Sequence, residues 1–147
     1  MPPTVMRYEV SAENAGPGVS DARCKGWSAQ FDSSSGQSPT LAGPAELLAA
    51  AFAACVLKNV SRFSEILPFH HEHASIDIVA EREDAPPRIA RIHYVLRLKT
   101  GEEEHKLQNL LKNIEQFGTI YNTLAAVCTV SGEIVAEPSG VKVQTDG

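Results

Sequence analysis

Three cysteines, Cys24, Cys55 and Cys128, carry the most reactive groups in this chain. Their number is odd, and their spacing fits neither a metal-ligand set nor a Cys-x-x-Cys pair. That pattern predicts reduced thiols, at least one of them free, rather than a disulfide framework. The thiolate is the nucleophilic form of cysteine, and cations near the sulfur favour it. Cys55 is the best placed of the three. At 100° per residue on a helix, Leu48, Ala51, Phe52, Asn59 and Arg62 fall near its azimuth and Lys58 lies to one side, so cations follow the thiol. Cys24 stands between Arg23 and Lys25. Glu46, nine residues before Cys55, lies about half a turn round the helix and does not reach the sulfur from there. His70, His71 and His73 surround Glu72, but only His71 and His73 share a strand face. Two ligands do not close a metal site, so no metal or cofactor is expected.

The element that must present Cys55 is the stretch 43–67. Residues 47–57 contain no polar side chain except Cys55 itself. That run is too short for a bilayer, which needs ~20 apolar residues, and it reads as a buried core helix. Pro44 suits a first helical turn, Pro68 stops the helix at or before Leu67, and the alanine-rich composition favours helix. A helix apolar on nearly every side needs a sheet to wrap it and a second copy to cover the remainder, which predicts a homodimer. A buried cysteine is ordinarily a small hydrophobe, so an inert Cys55 is the plain alternative.

The rest of the chain supplies that sheet. Alternation over 5–10 predicts a strand, 14–20 a turn, and 22–25 with 27–31 a hairpin or a bulged strand broken at Gly26. The Ser-, Gly- and Pro-rich 32–43 is a surface loop. Residues 75–80 form a strand, 81–87 a charged turn, and 88–99 a strand whose Ile92, Tyr94, Leu96 and Leu98 face the core. Thr100 is expected to cap an amphipathic helix with Glu103 completing a capping box, and Gly118 to end it in a left-handed conformation after Phe117. A further extended run covers 127–136. The order is α+β, in one domain of 147 residues with 43% hydrophobic content. A net charge of −5, a pI near 5.5 and no basic run argue against nucleic acid or a membrane surface as partner. The first ten residues lack the apolar core of a secretory signal, and a cytoplasmic protein is expected.

The stretch 43–55, Gly-Pro-Ala-Glu-Leu-Leu-Ala-Ala-Ala-Phe-Ala-Ala-Cys, resembles the central-helix motif of the OsmC-like family of osmotically inducible and organic-hydroperoxide-resistance proteins. Ala22-Arg23-Cys24-Lys25-Gly26 resembles its second strand, and Tyr121-Asn122-Thr123-Leu124 the segment after its second helix. The resemblance implies an OsmC-like fold: an antiparallel sheet wrapped around a long buried central helix, with a second amphipathic helix, in an intertwined homodimer with active sites at its interface. It puts Cys55 at the peroxide-reactive position and implies that an arginine, Arg23 or Arg62, and a carboxylate orient the reactants. Ala45 stands where the family's glutamate is found, leaving Glu46 as the neighbouring carboxylate. Gly118 stands where the resolving cysteine belongs, and Cys128 does not inherit that role.

The reading is therefore a peroxidase reducing organic hydroperoxides at Cys55, with an external thiol as reductant. Cys55, Arg23 and Glu46 form its catalytic set; Leu48, Phe52, Asn59 and Arg62 line the substrate site. The alternative is a binding protein that holds a hydrophobic small molecule at the interface, to which Ala45 and Gly118 point.

Overall fold

Proline and alanine set the limits of helix α1, which spans Pro44–Ile66 in the computed structural model. Residues 3–138 are described. The chain divides into two compact units, one ending at Leu47 and the other beginning at Leu48.

The first unit is an antiparallel meander of β1 (Ser11–Gly16), β2 (Val19–Cys24) and β3 (Trp27–Asp32). The predicted strand over 5–10 is not formed. Val5, Met6, Tyr8 and Val10 are exposed, and without a neighbouring strand an alternating pattern has nothing to pair with. The 14–20 turn contracts to Pro17 and Gly18, because the flanking residues are taken into β1 and β2. Gly18 is in the left-handed region at φ 74°, and a Cβ there would also meet Ser34 Cβ at 3.1 Å. The hairpin alternative holds for β2 and β3, with Lys25 at φ 56° in the turn. Buried Asp32 then organises the serine-rich loop. It accepts from Ser34 Oγ (2.6 Å), Ser34 N (2.9 Å) and Ser38 N (2.8 Å), bonds that hold its carboxyl below the usual carboxylate range. At the start of α1, Glu46 reaches back to accept from Gly43 N at 2.8 Å, half of a capping box.

The second unit is built on the remainder of α1. Phe52, Val56, Asn59, Val60 and Phe63 recur at helical spacing and form its buried stripe. By length and composition α1 is long and apolar enough to cross a membrane, a test that the core helix of a soluble protein also passes. The stripe shares its core with the sheet of β4 (His73–Asp84), β5 (Pro87–Lys99) and β6 (Thr129–Glu137), in that order. The expected turn over 81–87 is narrower, since β4 runs to Asp84 and the chain reverses through the cis Ala85-Pro86 bond. The alternation in β5 holds: Ile92, Tyr94, Leu96 and Leu98 are at most 2% exposed. β4 and β5 are antiparallel, but β6 joins β5 in parallel, so this sheet is mixed rather than antiparallel. The physical reason is the connection, because two helices carry the chain back to the edge where β6 begins.

Those helices are α2 (Glu104–Phe117) and α3 (Thr119–Ala125), the second of them an addition to the two expected. Leu107, Leu110 and Ile114 of α2 and Leu124 of α3 are buried in the core. Thr100 does not cap α2. Its hydroxyl donates to His70 O (2.5 Å) and accepts from Glu102 N (3.1 Å), so the helix begins four residues on with no side-chain cap. Gly118 ends α2 where expected, but in an extended conformation (φ −72°, ψ 116°) rather than a left-handed one. Gly132 of β6 has a plain requirement for glycine. A Cβ there would lie 2.1 Å from Tyr94 Cζ, inside the phenol ring.

Candidate functional site

In the second unit, α1 presents Cys55 between buried Phe52 and buried Asn59, with the cysteine itself half-buried. The i, i+4 relation puts Asn59 one turn beyond the thiol. Its Nδ2 donates to Cys55 O at 3.0 Å and lies 3.8 Å from Cys55 Sγ. Arg62 donates from Nη2 to Asn59 Oδ1 at 3.0 Å. The guanidinium also lies 5.5 Å from the centre of the Phe117 ring, a cation–π contact between α1 and the last residue of α2. Cysteine, amide, guanidinium and aromatic ring thus form one connected series.

The junction of α2 and α3 closes over the same sulfur. Gly118 is buried, and a carbon at its Cβ position would lie 3.2 Å from Cys55 Sγ, 2.8 Å from Ile114 O and 3.0 Å from Tyr121 Cβ. Only a glycine fits there without movement. Phe52 makes an edge contact with Tyr94 (centroids 5.5 Å) and a tilted one with Tyr121 (6.2 Å). Burial pushes the Tyr94 phenol far above its ordinary value, helped by Glu115 and Tyr121, and burial and Glu115 also raise Tyr121. Both therefore stay neutral in the working range. The Tyr94 hydroxyl has no hydrogen-bond partner among the described residues.

Of the residues singled out from sequence, Cys55, Phe52, Asn59 and Arg62 come together in this unit. Leu48 is partly buried against the same core. Lys58 is exposed. The first unit holds the other two candidates, each with a local partner. Arg23 on β2 pairs with Glu13 at 2.7 Å, and Glu46 is the cap of Gly43. Cys24 ends β2 opposite Trp27. Cys128 donates its thiol hydrogen to Ile89 O at 3.2 Å, and all three cysteines are free. His71 Nδ1 is 3.2 Å from Ser64 Oγ, and among the described residues no three His, Cys, Asp or Glu side chains gather as a metal site would require.

Phe117, Tyr121 and Tyr94 are site residues that sequence reasoning did not find. Phe117 was legible only as part of an apolar stripe, and Tyr121 only as part of the tetrapeptide that resembles the family. Nothing in spacing pairs Arg62 with a residue 55 positions later.

The fold is shared with known structures. An OsmC-like protein from Mycoplasma pneumoniae superimposes with a TM-score of 0.81 over 90% of this chain and 99% of its own, at 13% identity. An organic hydroperoxide resistance protein OsmC from Legionella pneumophila gives 0.70 over 90% and 98%, at 14% identity. The organic hydroperoxide resistance protein OhrB of Bacillus subtilis gives 0.65 over 88% and 98%, at 16% identity. No protein of curated function matches the sequence. The family model for OsmC-like proteins matches residues 36–133, and with so much of its length matched this chain belongs to the OsmC-like family.

Proposed function

We propose that the protein is a thiol-dependent peroxidase that reduces organic hydroperoxides at Cys55. The observation that carries this reading is the position of Cys55 Sγ, half-buried and 3.8 Å from the amide of an asparagine bonded to an arginine. Such a donor favours the charged sulfur. The thiolate attacks the terminal oxygen of the hydroperoxide, the O–O bond breaks, and the electron pair leaves with the alkoxide, which takes up a proton to become the alcohol. Cys55 is left as a sulfenic acid.

The reductant is an external thiol, because the residue beside Sγ is Gly118 and supplies no second sulfur. One thiol attacks the sulfenic sulfur and releases water, forming a mixed disulfide with Cys55. A second attacks the outer sulfur of that disulfide and restores the Cys55 thiolate. Arg62 takes the orienting role through Asn59. Arg23 and Glu46 remain candidates for it from the first unit, released from Glu13 and from Gly43 respectively. Phe52, Leu48 and Tyr121 supply apolar surface for the organic group of the substrate.

The same reading includes a cytoplasmic homodimer in which a sheet wraps a central helix. Support comes from the surfaces that one copy leaves uncovered: Leu47, Ala50, Ala51 and Ala54 on α1, and Val5, Met6, Tyr8 and Val10 before β1. A second copy is the partner of matching apolar character. Light scattering at micromolar concentration is expected to give twice the chain mass.

Gly118 also favours a second reading, since a scaffold without a resolving thiol beside Cys55 suits the binding of an apolar ligand. Peroxide consumption separates the two. With cumene hydroperoxide and a small dithiol, the peroxidase reading predicts turnover that disappears in Cys55→Ser. Absence of turnover in the wild type with a range of mono- and dithiols leaves the binding reading in possession.

A further inference from the structure

The side-chain amide of Asn59 has only one orientation that its neighbours allow. Arg62 is a pure donor, so the group facing its Nη2 at 3.0 Å must be Oδ1. The Cys55 carbonyl is a pure acceptor, so the group facing it at 3.0 Å must be Nδ2. Two independent partners therefore agree on one O/N assignment. Nδ2 carries two hydrogens. One serves Cys55 O, and the other is available to Cys55 Sγ, which lies 3.8 Å away. Asn59 is 7% exposed, so water competes little for that hydrogen.

From this arrangement we propose that Asn59 is the thiolate-stabilising donor of Cys55, and that Arg62 is a positioning residue acting through it. The guanidinium draws electron density toward Oδ1, which makes the opposite N–H a stronger donor. Its contact with the Phe117 ring holds the guanidinium over Oδ1, so that the last residue of α2 helps to fix a donor on α1. In this scheme the positive charge never touches the sulfur. It is passed along one amide, and the acidic alternative at position 59 reverses the effect, because a carboxylate offers no donor and brings a like charge to the thiolate.

Further ionisable groups lie on the elements that carry this site. Lys58 and Arg62 lie on α1, Glu115 on α2, Tyr121 on α3 and Tyr94 on β5, and Glu115 raises both tyrosines. A substitution at position 59 leaves Lys58, Glu115, Tyr121 and Tyr94 in place but changes the partner of Arg62, which loses its acceptor in Asn59→Leu and faces a carboxylate in Asn59→Asp. The Arg62 variants, which keep the amide, separate the two contributions.

The inference rests on Cys55 being the reacting thiol of the proposed peroxidase, but its test needs no peroxide. In a Cys24→Ser, Cys128→Ser background, the rate of Cys55 alkylation by iodoacetamide is measured from pH 5 to 10. Asn59→Asp is expected to move the profile to higher pH and to lower the rate at pH 7 by about tenfold or more, the range of a hydrogen bond to a charged group. Asn59→Leu should move it in the same direction by less, since no charge is added. Arg62→Met changes an exposed side chain and leaves the core intact. It should shift the profile upward by a smaller step, about two- to fivefold at pH 7, while Arg62→Lys recovers part of that loss. An alkylation profile unmoved in Arg62→Met, or in folded Asn59→Asp, overturns the proposal. If Asn59→Asp does not fold, the Arg62 pair decides alone. Profiles that shift as expected in a protein with no peroxide turnover would uphold the donor and reject the peroxidase.

Discussion

Cys55 and Cys128 lie in the same unit and are both half-buried, yet their neighbours treat them in opposite ways. Around Cys55 the polar partner is a donor, the Asn59 amide, and the covering residue is a glycine with no side chain. Around Cys128 the polar partner is an acceptor, the Ile89 carbonyl, which engages the thiol hydrogen. A donor favours the anionic sulfur and an acceptor the protonated one. Burial alone does not distinguish a reactive cysteine from a packed one. In the proposed peroxidase the sign of the hydrogen bond does.

The sharpest way to test that contrast is to put a second sulfur beside Cys55. A Cβ at position 118 would lie 3.2 Å from Cys55 Sγ, near the ~3.0 Å that a Cβ keeps from the far sulfur of a disulfide whose S–S bond is ~2.05 Å. Gly118→Cys is therefore expected to form a disulfide between Cys55 and the introduced thiol after one equivalent of hydroperoxide. Contact with Ile114 O at 2.8 Å forces the α2–α3 junction to shift, at a cost on the order of 1–2 kcal/mol in the reduced state. Peptide mapping without reductant and denaturant melts read the two effects. Failure of the cross-link to form in folded, oxidised protein would mean that the glycine does not mark the place of a missing partner.

Cys128→Ser should do far less. It keeps a hydroxyl donor for Ile89 O, so stability is expected to fall by about 1 kcal/mol or less and peroxide turnover to stay within about twofold of wild type. Loss of turnover in this variant, together with a Cys55 to Cys128 cross-linked peptide in the wild type, would break the comparison and assign Cys128 a resolving role.

Legibility in the sequence followed the range of the interactions. Helix α1 was readable to within a residue or so because its limits are written locally, in Pro44, Pro68 and the alanines between. The inward face of β5 was readable because period-two alternation needs no partner to be seen. The start of α2 was misjudged because Thr100 answers to His70 O, thirty residues away in the chain. The 5–10 segment alternates correctly but has no strand to join in a single copy. The parallel pairing of β6 depends on a crossover whose second helix, α3, is only seven residues long. At the site, the neighbours of Cys55 within one or two turns of α1 were found from helical spacing. Arg62 and Asn59 are one turn apart on α1, so their meeting was within reach of that spacing. That Phe117 holds Arg62 and that Gly118 abuts the sulfur are tertiary facts with no local signature. The family resemblance points to Gly118, and the fold sets its Cβ position 3.2 Å from the sulfur.

The central claim is that Cys55 alone is the peroxide-reactive thiol, and it is tested most directly by trapping its oxidised form. Folded wild-type protein, treated with one equivalent of cumene hydroperoxide in the presence of dimedone, is digested and mapped for sulfenic-acid adducts. The account predicts near-stoichiometric labelling at Cys55, with little at Cys24 or Cys128, complete within minutes at micromolar concentration. Labelling concentrated at Cys24 or Cys128, or a Cys55 that stays reduced while the peroxide persists, would contradict it.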